Sequence, residues 1–422
     1  MLTTGKDRSF QYRTFLTKIL SSHSTAAVII FSVFVQMVLV GKYLDNSVVS
    51  AYAPTAMDAS DYTNRALLWQ SEGFYSAFND ASRMPGYPFV LLIAHTIFPS
   101  YPNVAVRILQ LLLIAVSAGL IKLVLQRYVP TVLAVTVGAL FSFLPIWHFV
   151  PVLIGEALTA VVTTFVIYFL AKAHGKELSR NTVLYLSLCI AIATYIKPNN
   201  FLIAVPIIGF LIFSKNSKAI KSIPMIVAIV LLLLLPWLVF ANKAQPGFLG
   251  LTTGSGINSY VGTGMILDYD QGFLARSAIK WRVDPKSNTE DSVEKADGAT
   301  PAEMNSLYAQ KSMQIWKKRF WRELGFGLDK VKFAFSVSSN SNFEMLIGVF
   351  NILALVAGLI LLKFRDLRSW GIALLLAIAT LALQAIVFQA DRRFVVPVLF
   401  PFATVCLGLA FSKVIRRFIP GS

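Results

Sequence analysis

The chain has 422 residues, of which 56% are hydrophobic and 14% are charged. Soluble domains are about 25% charged, so this composition excludes an ordinary soluble enzyme, and the high apolar content excludes a disordered chain. The formal net charge is +17, which in a soluble protein would indicate binding to nucleic acid. In a chain this apolar, basic residues between apolar segments instead indicate how the chain is oriented in a membrane. Nucleic acid is therefore not an expected partner.

Apolar segments of the length needed to cross a bilayer recur along the whole chain. A bilayer core about 30 Å thick needs about 20 helical residues. Eight segments approach or exceed this length, at about 24–41, 104–126, 130–148, 152–171, 223–241, 343–362, 369–388 and 394–412. Two shorter segments, 183–196 and 201–214, flank Lys197-Pro198, where proline predicts a break between two short helices. A further segment, 88–98, is too short to cross and is expected to be re-entrant or interfacial.

Basic residues segregate to one side of this arrangement. The N-terminal segment and alternate connections hold 18 basic and 3 acidic residues, whereas the rest of the chain holds 20 and 18. Because basic residues favour the cytoplasmic side, both termini are expected in the cytoplasm. The predicted fold is an all-α polytopic membrane protein, a single domain over residues 1–422 in the inner (plasma) membrane. It has about ten transmembrane helices and two long extracytoplasmic loops, 42–87 and 242–342.

The first of these loops contains a pair of carboxylates with a spacing that suggests chemistry. Asp58 and Asp61 are three residues apart and are followed by Tyr62. Residues with this spacing share one face of a helix, and crowding of two like charges shifts proton affinity. A carboxylate in such a place can accept a proton from an attacking hydroxyl or amine. The alternative is that one aspartate caps a short helix that begins near Ser60.

The order of motifs along the chain resembles the C-type (GT-C) integral-membrane glycosyltransferases. Specifically, it resembles bacterial relatives of protein O-mannosyltransferases and of the aminoarabinose transferase that modifies lipid A. The motifs are Asp58-x-x-Asp61-Tyr62, Arg83-x-Pro85-Gly86-Tyr87-Pro88, Val106 to Gln110, Gly155-Glu156-Ala157-Leu158, Pro236-Trp237 with Asn242, and Arg393-Phe394 with Pro397 and Pro401. The chain departs from the family pattern at Gly155, where threonine is usual, and at Lys197-Pro198, where Arg-Pro is usual.

The resemblance implies transfer of a sugar from a polyprenyl-phosphate carrier to an acceptor on the extracytoplasmic face, with inversion at the anomeric carbon. The acceptor is a lipid, a glycan or a protein. In this interpretation Asp58 is the general base, and Asp61, the second candidate catalytic residue, is its neighbour or a contact to the sugar. Two alternatives are a transporter or flippase for polyprenyl-linked glycans, and a lipid-binding membrane protein without catalysis. Inverted repeats would favour the transporter, and the sequence shows none.

Charged and aromatic side chains near the predicted outer boundary supply the other candidate site residues. Those expected to bind the donor phosphate are Arg83, Lys197, Arg392 and Arg393. Those expected to bind substrate are Tyr62, Tyr87 and Glu156. Cations at this depth are costly and would stabilise charge on a departing phosphate. The alternatives are snorkelling to the interface for Lys197 and Arg392, and a structural salt bridge for Glu156.

The second loop begins with a glycine-rich stretch, 252–264, which predicts a flexible lid. The sequence contains no His, Cys and Asp cluster with zinc spacing, so no cofactor is predicted with certainty. A divalent metal that bridges Asp58 or Asp61 to the phosphate is compatible with the chemistry, but the sequence does not require it.

Overall fold

A computed structural model describes residues 22–41, 57–214, 217–266, 280–281, 298–335, 342–388 and 392–418. Regular structure within these ranges is helical, apart from one pair of two-residue strands. These strands, β1 (Met265–Ile266) and β2 (Lys280–Trp281), pair antiparallel. The expectation of an all-α membrane protein is confirmed.

Most of the described residues lie in α-helices. In chain order they are α1 (Ser22–Gly41), α2 (Met57–Glu72), α3 (Phe74–Phe78), α4 (Gly86–Ile97), α5 (Pro102–Leu125), α6 (Thr131–Phe141), α7 (Glu156–Ala173), α8 (Arg180–Ile196), α9 (Ala204–Ile212), α10 (Ser217–Ile220), α11 (Ile223–Ala244), α12 (Ser255–Gly264), α13 (Pro301–Lys318), α14 (Phe320–Ala334), α15 (Asn342–Leu362), α16 (Arg368–Val387) and α17 (Arg392–Phe418). Two 3₁₀ turns, Pro145–Phe149 and Pro198–Ile203, extend α6 and precede α9.

Eight helices among the described residues are long and apolar enough to cross a membrane. They are α1, α5, α6 with its 3₁₀ extension, α7, α11, α15, α16 and α17. Each coincides with one of the eight longer apolar segments in the sequence, so the chain is a multi-pass membrane protein. The two shorter helical segments meet at Lys197, as the proline after it predicts. Helix α4 has 12 residues, or about 18 Å, which is less than the thickness of a bilayer core.

Helices α7 and α17 form the centre of the bundle and are the most buried of the eight. Three threonines on α7 are buried, and the hydroxyls of Thr159, Thr163 and Thr164 each donate a hydrogen bond to the carbonyl four residues earlier. This satisfies polar groups that would otherwise be costly in a bilayer. Helices α15 and α16 cross where Gly371 faces Gly358, because a Cβ on Gly371 would lie 2.7 Å from the Gly358 carbonyl oxygen.

One end of the bundle, here called the loop end, brings together the first residues of α4, α7 and α17 and the last residues of α8, α11 and α16. A Cβ on Gly86 would lie 2.6 Å from the Tyr195 carbonyl, and one on Gly155 would lie 2.6 Å from Ile196. Helices α2 and α3 of the first loop and α12 to α14 of the second loop cover this end.

Candidate active site

The two aspartates of the first loop share one guanidinium at the loop end. Asp58 and Asp61 lie in the first two turns of α2, and Arg83 follows α3. Arg83 Nη2 donates to Asp58 Oδ1 at 2.8 Å, and Arg83 Nε donates to Asp61 Oδ2 at 2.7 Å. The fraction of side-chain surface exposed is 18% for Asp58 and 34% for the other two. One arginine therefore holds both candidate carboxylates beside each other at a solvent-accessible edge.

A second arginine continues this network behind the first. Arg65 donates to Asp61 Oδ1 at 3.1 Å and to both carboxylate oxygens of Asp80, at 3.0 and 2.8 Å. Ser82 also donates to Asp80 through its amide and its hydroxyl. We call Asp58, Asp61, Arg65, Asp80 and Arg83 the acidic cluster. With three aspartates and two arginines, it carries a formal charge of −1.

The electrostatics of the acidic cluster follow from these contacts. Burial alone would raise the pKa of Asp80, but hydrogen bonds from Arg65 and Ser82 and the charge of Arg65 lower it below its ordinary value. Burial alone would lower the pKa of Arg83, but the charges of Tyr62, Asp58 and Asp61 raise it above that of a free arginine. Both groups are thus held in their ionised forms at neutral pH.

Two tyrosines lie beneath the acidic cluster. The Arg83 guanidinium lies 5.6 Å from the centre of the Tyr62 ring, and this ring meets Tyr87 edge-on at 5.2 Å between centroids. Both tyrosines are buried, and the Tyr87 hydroxyl accepts a hydrogen bond from Gln110 on α5 at 2.8 Å. This packing supports Arg83 from below. The expectation that Tyr62 and Tyr87 contact substrate stays a prediction.

A second charged site lies deeper at the loop end. Lys197 Nζ donates to Glu156 Oε1 at 2.6 Å, and the side-chain surfaces of the two residues are only 13% and 4% exposed. The ammonium also lies 4.2 Å from the centre of the Phe394 ring. We call Glu156 and Lys197 the buried ion pair. The expectation that Glu156 pairs with a nearby cation agrees with this contact, and its role toward a sugar stays a prediction.

The buried ion pair is fixed by the ends of three helices. Glu156 is the first residue of α7, and Lys197 is the C-cap of α8. The Asn200 amide donates to Thr159 Oγ1 at 2.8 Å and to the Ala193 carbonyl at 3.0 Å, which ties the break after α8 to both helices. Phe394 follows directly after the first residues of α17, so the start of that helix lies against Lys197.

The other two predicted phosphate ligands, Arg392 and Arg393, begin α17. Their side chains lie outside the described residues, and their role stays a prediction. Their neighbour Phe394 nevertheless places this end of α17 against Lys197.

An apolar groove runs along α7 and α8 and reaches the loop end. Its volume is about 610 Å³, and its lining is almost entirely apolar. At one extreme lie Phe169 and Tyr185, and at the other lie Gly86, Tyr195 and Ile196. The groove therefore ends between the segment that follows Arg83 and the residue that precedes Lys197.

The sequence interpretation did not identify Arg65, Asp80 or Ser82 as parts of this site. A signal for Arg65 was present, because it follows Asp61 by four residues, the spacing of a helical ion pair. Asp80 and Ser82 give no such signal, because their contact with Arg65 depends on how α3 folds back on α2. Among the described residues, no group of three His, Cys, Asp or Glu side chains is placed to hold a metal ion.

The second loop also differs from its sequence interpretation. Stretch 252–264 was expected to be a flexible lid, but Ser255–Gly264 forms helix α12. Thr252 and Thr253 donate hydrogen bonds to backbone carbonyls of the first loop. The glycines serve close packing, because a Cβ on Gly256 would overlap the backbone of Asn305 on α13. This part of the loop is packed and hydrogen-bonded to its surroundings.

Comparisons with known proteins agree with this architecture. The family described as Dolichyl-phosphate-mannose-protein mannosyltransferase matches residues 82–240. A search of curated proteins finds no match. The archaeal oligosaccharyltransferase AglB from Archaeoglobus fulgidus, solved with an inhibitory peptide and a dolichol-phosphate, superposes with a TM-score of 0.51 at 12% identity. The alignment covers 94% of this chain and 52% of AglB, so the chain spans about half the length of that protein.

Two structures of ArnT from Cupriavidus metallidurans superpose less well. The apo structure gives a TM-score of 0.41 at 15% identity over 92% of this chain and 76% of ArnT. The structure bound to undecaprenyl phosphate gives 0.42 at 13% identity over 92% and 77%. The family match over residues 82–240, together with the fold shared with AglB, confirms the resemblance of this chain to the C-type (GT-C) integral-membrane glycosyltransferases.

Proposed function

We propose that this protein transfers a sugar from a polyprenyl-phosphate carrier to an acceptor on the extracytoplasmic face of the membrane. The observation that carries the proposal is the position of Asp58 and Asp61. Arg83 clamps both carboxylates at a solvent-accessible edge, a few residues from the end of an apolar groove. A proton acceptor and a lipid-sized groove that meet at one membrane boundary are the parts such a reaction needs.

The groove along α7 and α8 suits the polyprenyl chain. Its volume of about 610 Å³ is within the range of pockets that enclose ligands, and an apolar lining matches a hydrocarbon. A lipid in this groove would carry its phosphate to the end formed by Gly86, Tyr195 and Ile196. That end adjoins Lys197 and the segment that begins at Arg83.

The cations at this end of the groove can bind the phosphate of the lipid donor. Lys197 supplies an ammonium whose charge Glu156 partly balances. Arg83 uses Nε and Nη2 for the two aspartates. Within the described residues Nη1 makes no hydrogen bond, so it is available to a phosphate oxygen. Arg392 and Arg393 remain candidate phosphate ligands from the sequence, since their helix, α17, begins beside Lys197.

The reaction can be written from these groups. The acceptor hydroxyl or amine attacks the anomeric carbon and forms the new glycosidic bond as the bond from that carbon to the phosphate oxygen breaks. The electron pair leaves with the polyprenyl phosphate, whose charge the cations stabilise. Asp58 accepts the proton of the attacking group. Attack from the face opposite the phosphate gives inversion, as the resemblance implies.

The side of the membrane follows from charge. We infer that the loop end lies outside the cell and that both termini are cytoplasmic, because in the sequence the N-terminal segment and the alternate connections hold 18 basic and 3 acidic residues. Membrane-impermeant labelling of single cysteines introduced at exposed positions tests this. Ser71→Cys on α2 should react in intact cells, and Glu177→Cys between α7 and α8 should react only after the membrane is opened.

The test of the activity is the substitution Asp58→Asn in protein reconstituted with a polyprenyl-phosphate sugar and an extract of envelope acceptors. We expect transfer to fall about 10³-fold, because asparagine keeps the shape of the aspartate side chain but cannot accept the proton. Glu72→Gln, an exposed carboxylate on the same helix, is the matched control and should keep full activity. Full activity in Asp58→Asn would remove Asp58 as base, and no transfer by the native protein would favour a flippase or a lipid-binding protein.

A further inference from the structure

The turn that carries Arg83 has a strained backbone. Ala81 has a φ of +50°, a left-handed conformation that residues other than glycine rarely adopt because Cβ crowds the carbonyl oxygen. Its side chain is fully buried, and Ser82 and Arg83 follow it directly. A strained conformation persists only where the surroundings fix it. The neighbouring contacts therefore determine where Arg83 is held.

Those contacts come from the second loop, about 170 residues further along the chain. Thr252 Oγ1 donates to the Ser82 carbonyl at 2.7 Å, and Thr253 Oγ1 donates to the Asp80 carbonyl at 2.8 Å. The Thr253 amide donates to the Ala81 carbonyl at 3.0 Å. Three successive carbonyls before Arg83 thus accept hydrogen bonds from two adjacent threonines.

The threonines are themselves held by neighbouring helices. The Trp237 indole on α11 donates to the Leu251 carbonyl at 2.9 Å, immediately before Thr252. The Gln245 side chain donates to the Asn79 carbonyl at 2.8 Å and accepts a hydrogen bond from the Ala302 amide on α13. The segment 245–253 is therefore a rigid brace between the bundle and the turn 79–83.

We propose that Thr252 and Thr253 are positioning residues, which set the place of Arg83 and through it the geometry of the Asp58 and Asp61 carboxylates. The proposal rests on the proposed function for its kinetic part. Its structural part stands on the hydrogen bonds alone. Loss of the hydroxyls would free the Asp80 and Ser82 carbonyls, let the strained turn relax, and loosen the contacts of Arg83 with both aspartates.

The test compares isosteric variants that differ in the hydroxyl. Thr252→Val and Thr253→Val, singly and together, remove the hydrogen bonds and keep the shape, whereas Thr252→Ser and Thr253→Ser keep the hydroxyl. Hydrogen exchange of the backbone over 79–83 should rise about 30-fold in the double valine variant, because the two lost hydrogen bonds are together worth about 2 kcal/mol. The serine variants should stay within about twofold of the native protein. Thr136→Val, an exposed position on α6, is the matched control.

The kinetic arm separates positioning from a general loss of stability. In the double valine variant kcat should fall about tenfold with little change in the KM for the donor, because positioning of the base affects the chemical step. Adding Ala81→Gly should restore part of kcat, because glycine adopts the positive φ without strain.

Two outcomes would overturn the inference. One is unchanged exchange over 79–83 together with an unchanged kcat in the double valine variant. The other is an equal loss in the serine variants, which would assign the effect to packing of the methyl groups. If the native protein transfers no sugar to any acceptor, the proposed function fails, and the exchange measurement alone still decides whether the threonines hold the turn.

Discussion

The acidic cluster and the buried ion pair lie at the same end of the bundle but are built in different ways. The acidic cluster has five ionised side chains on α2 and the turn after α3, and Asp61, Asp80 and Arg83 are each about one-third exposed. The buried ion pair has two side chains at the ends of α7 and α8, with little exposure. Hydrogen bonds between loops fix the cluster, whereas packing of membrane helices fixes the pair.

This difference in exposure indicates which chemical role each site can have. An exposed network at a loop can exchange its partners with water and substrate at little cost, which suits proton transfer. A buried pair is costly to separate, because either charge left alone in a low-dielectric region is destabilised. The pair therefore suits a fixed electrostatic role toward a lipid phosphate. Substitutions at the buried ion pair should therefore reduce stability more than activity, whereas substitutions in the acidic cluster should reduce activity more than stability.

Breaking the buried ion pair should give the largest effect on stability. Lys197→Met leaves the Glu156 carboxylate buried without its ammonium, and we expect a loss of about 3 to 5 kcal/mol. The double variant with Glu156→Gln should recover most of this loss, because no uncompensated charge remains. Thermal unfolding in detergent measures both. Lys332→Met, which breaks an exposed pair with Asp329, should cost less than about 1 kcal/mol.

If Lys197→Met and the double variant were equally unstable, the packing of the lysine side chain would matter and its charge would not. The activity of the double variant sharpens the comparison further. A protein that regains stability but not transfer would support a role for Lys197 toward the phosphate. One that regains both would assign the pair a structural role only.

At the acidic cluster, substitutions should reduce activity more than stability. Arg83→Lys replaces a planar group that holds two carboxylates at once with a single ammonium. We expect kcat to fall about 10- to 100-fold while the thermal midpoint changes little, because the site is partly exposed. Steady-state kinetics with the native protein and with Arg322→Lys, an exposed arginine on α14, provide the comparison. A large loss of stability with unchanged kcat would show that Arg83 is structural.

Narrowing the apolar groove tests the link between the two sites. Ile192→Trp on α8 fills part of the groove, and we expect the KM for a long-chain donor to rise about tenfold, the equivalent of about two buried methylenes. The KM for a short-chain donor should not change. Leu184→Trp lies on the same helix outside the groove lining and is the matched control. Equal effects of the two tryptophans would contradict a role for the groove in binding the lipid.

The smallest effect is expected from pH on the acidic cluster. The pKa of Asp80 is lowered in the folded protein, so its contribution to stability is present above its unfolded pKa, at about pH 4, and is lost as pH falls further. The thermal midpoint of the native protein should therefore fall more between about pH 5 and pH 3 than that of Asp80→Asn. Glu72→Gln should follow the native protein. Parallel curves for native protein and Asp80→Asn would contradict a folded-state ion pair between Asp80 and Arg65.

Much of the fold was predictable because its signals are local. Runs of apolar residues predict membrane helices directly, and each of the eight longer segments and both shorter ones is a helix near its predicted bounds. Pro198 predicts the break after α8, because proline cannot continue a helix. The expectation of a lid at 252–264 was wrong, because glycine there permits close packing of α12 on α13, and composition does not distinguish packing from flexibility.

The candidate site was predictable only in part, because local signals locate its residues but do not reveal which of them contact one another. The sequence by itself determined that Asp58, Asp61 and the cations lie near helix ends at one side of a bundle, since charge and hydropathy follow from the residues present. Only the tertiary structure decided their partners. Arg83 contacts Asp58 across 25 residues, Lys197 contacts Glu156 across 41, and Thr252 contacts Ser82 across 170. Such pairings depend on how helices pack, which no local pattern encodes.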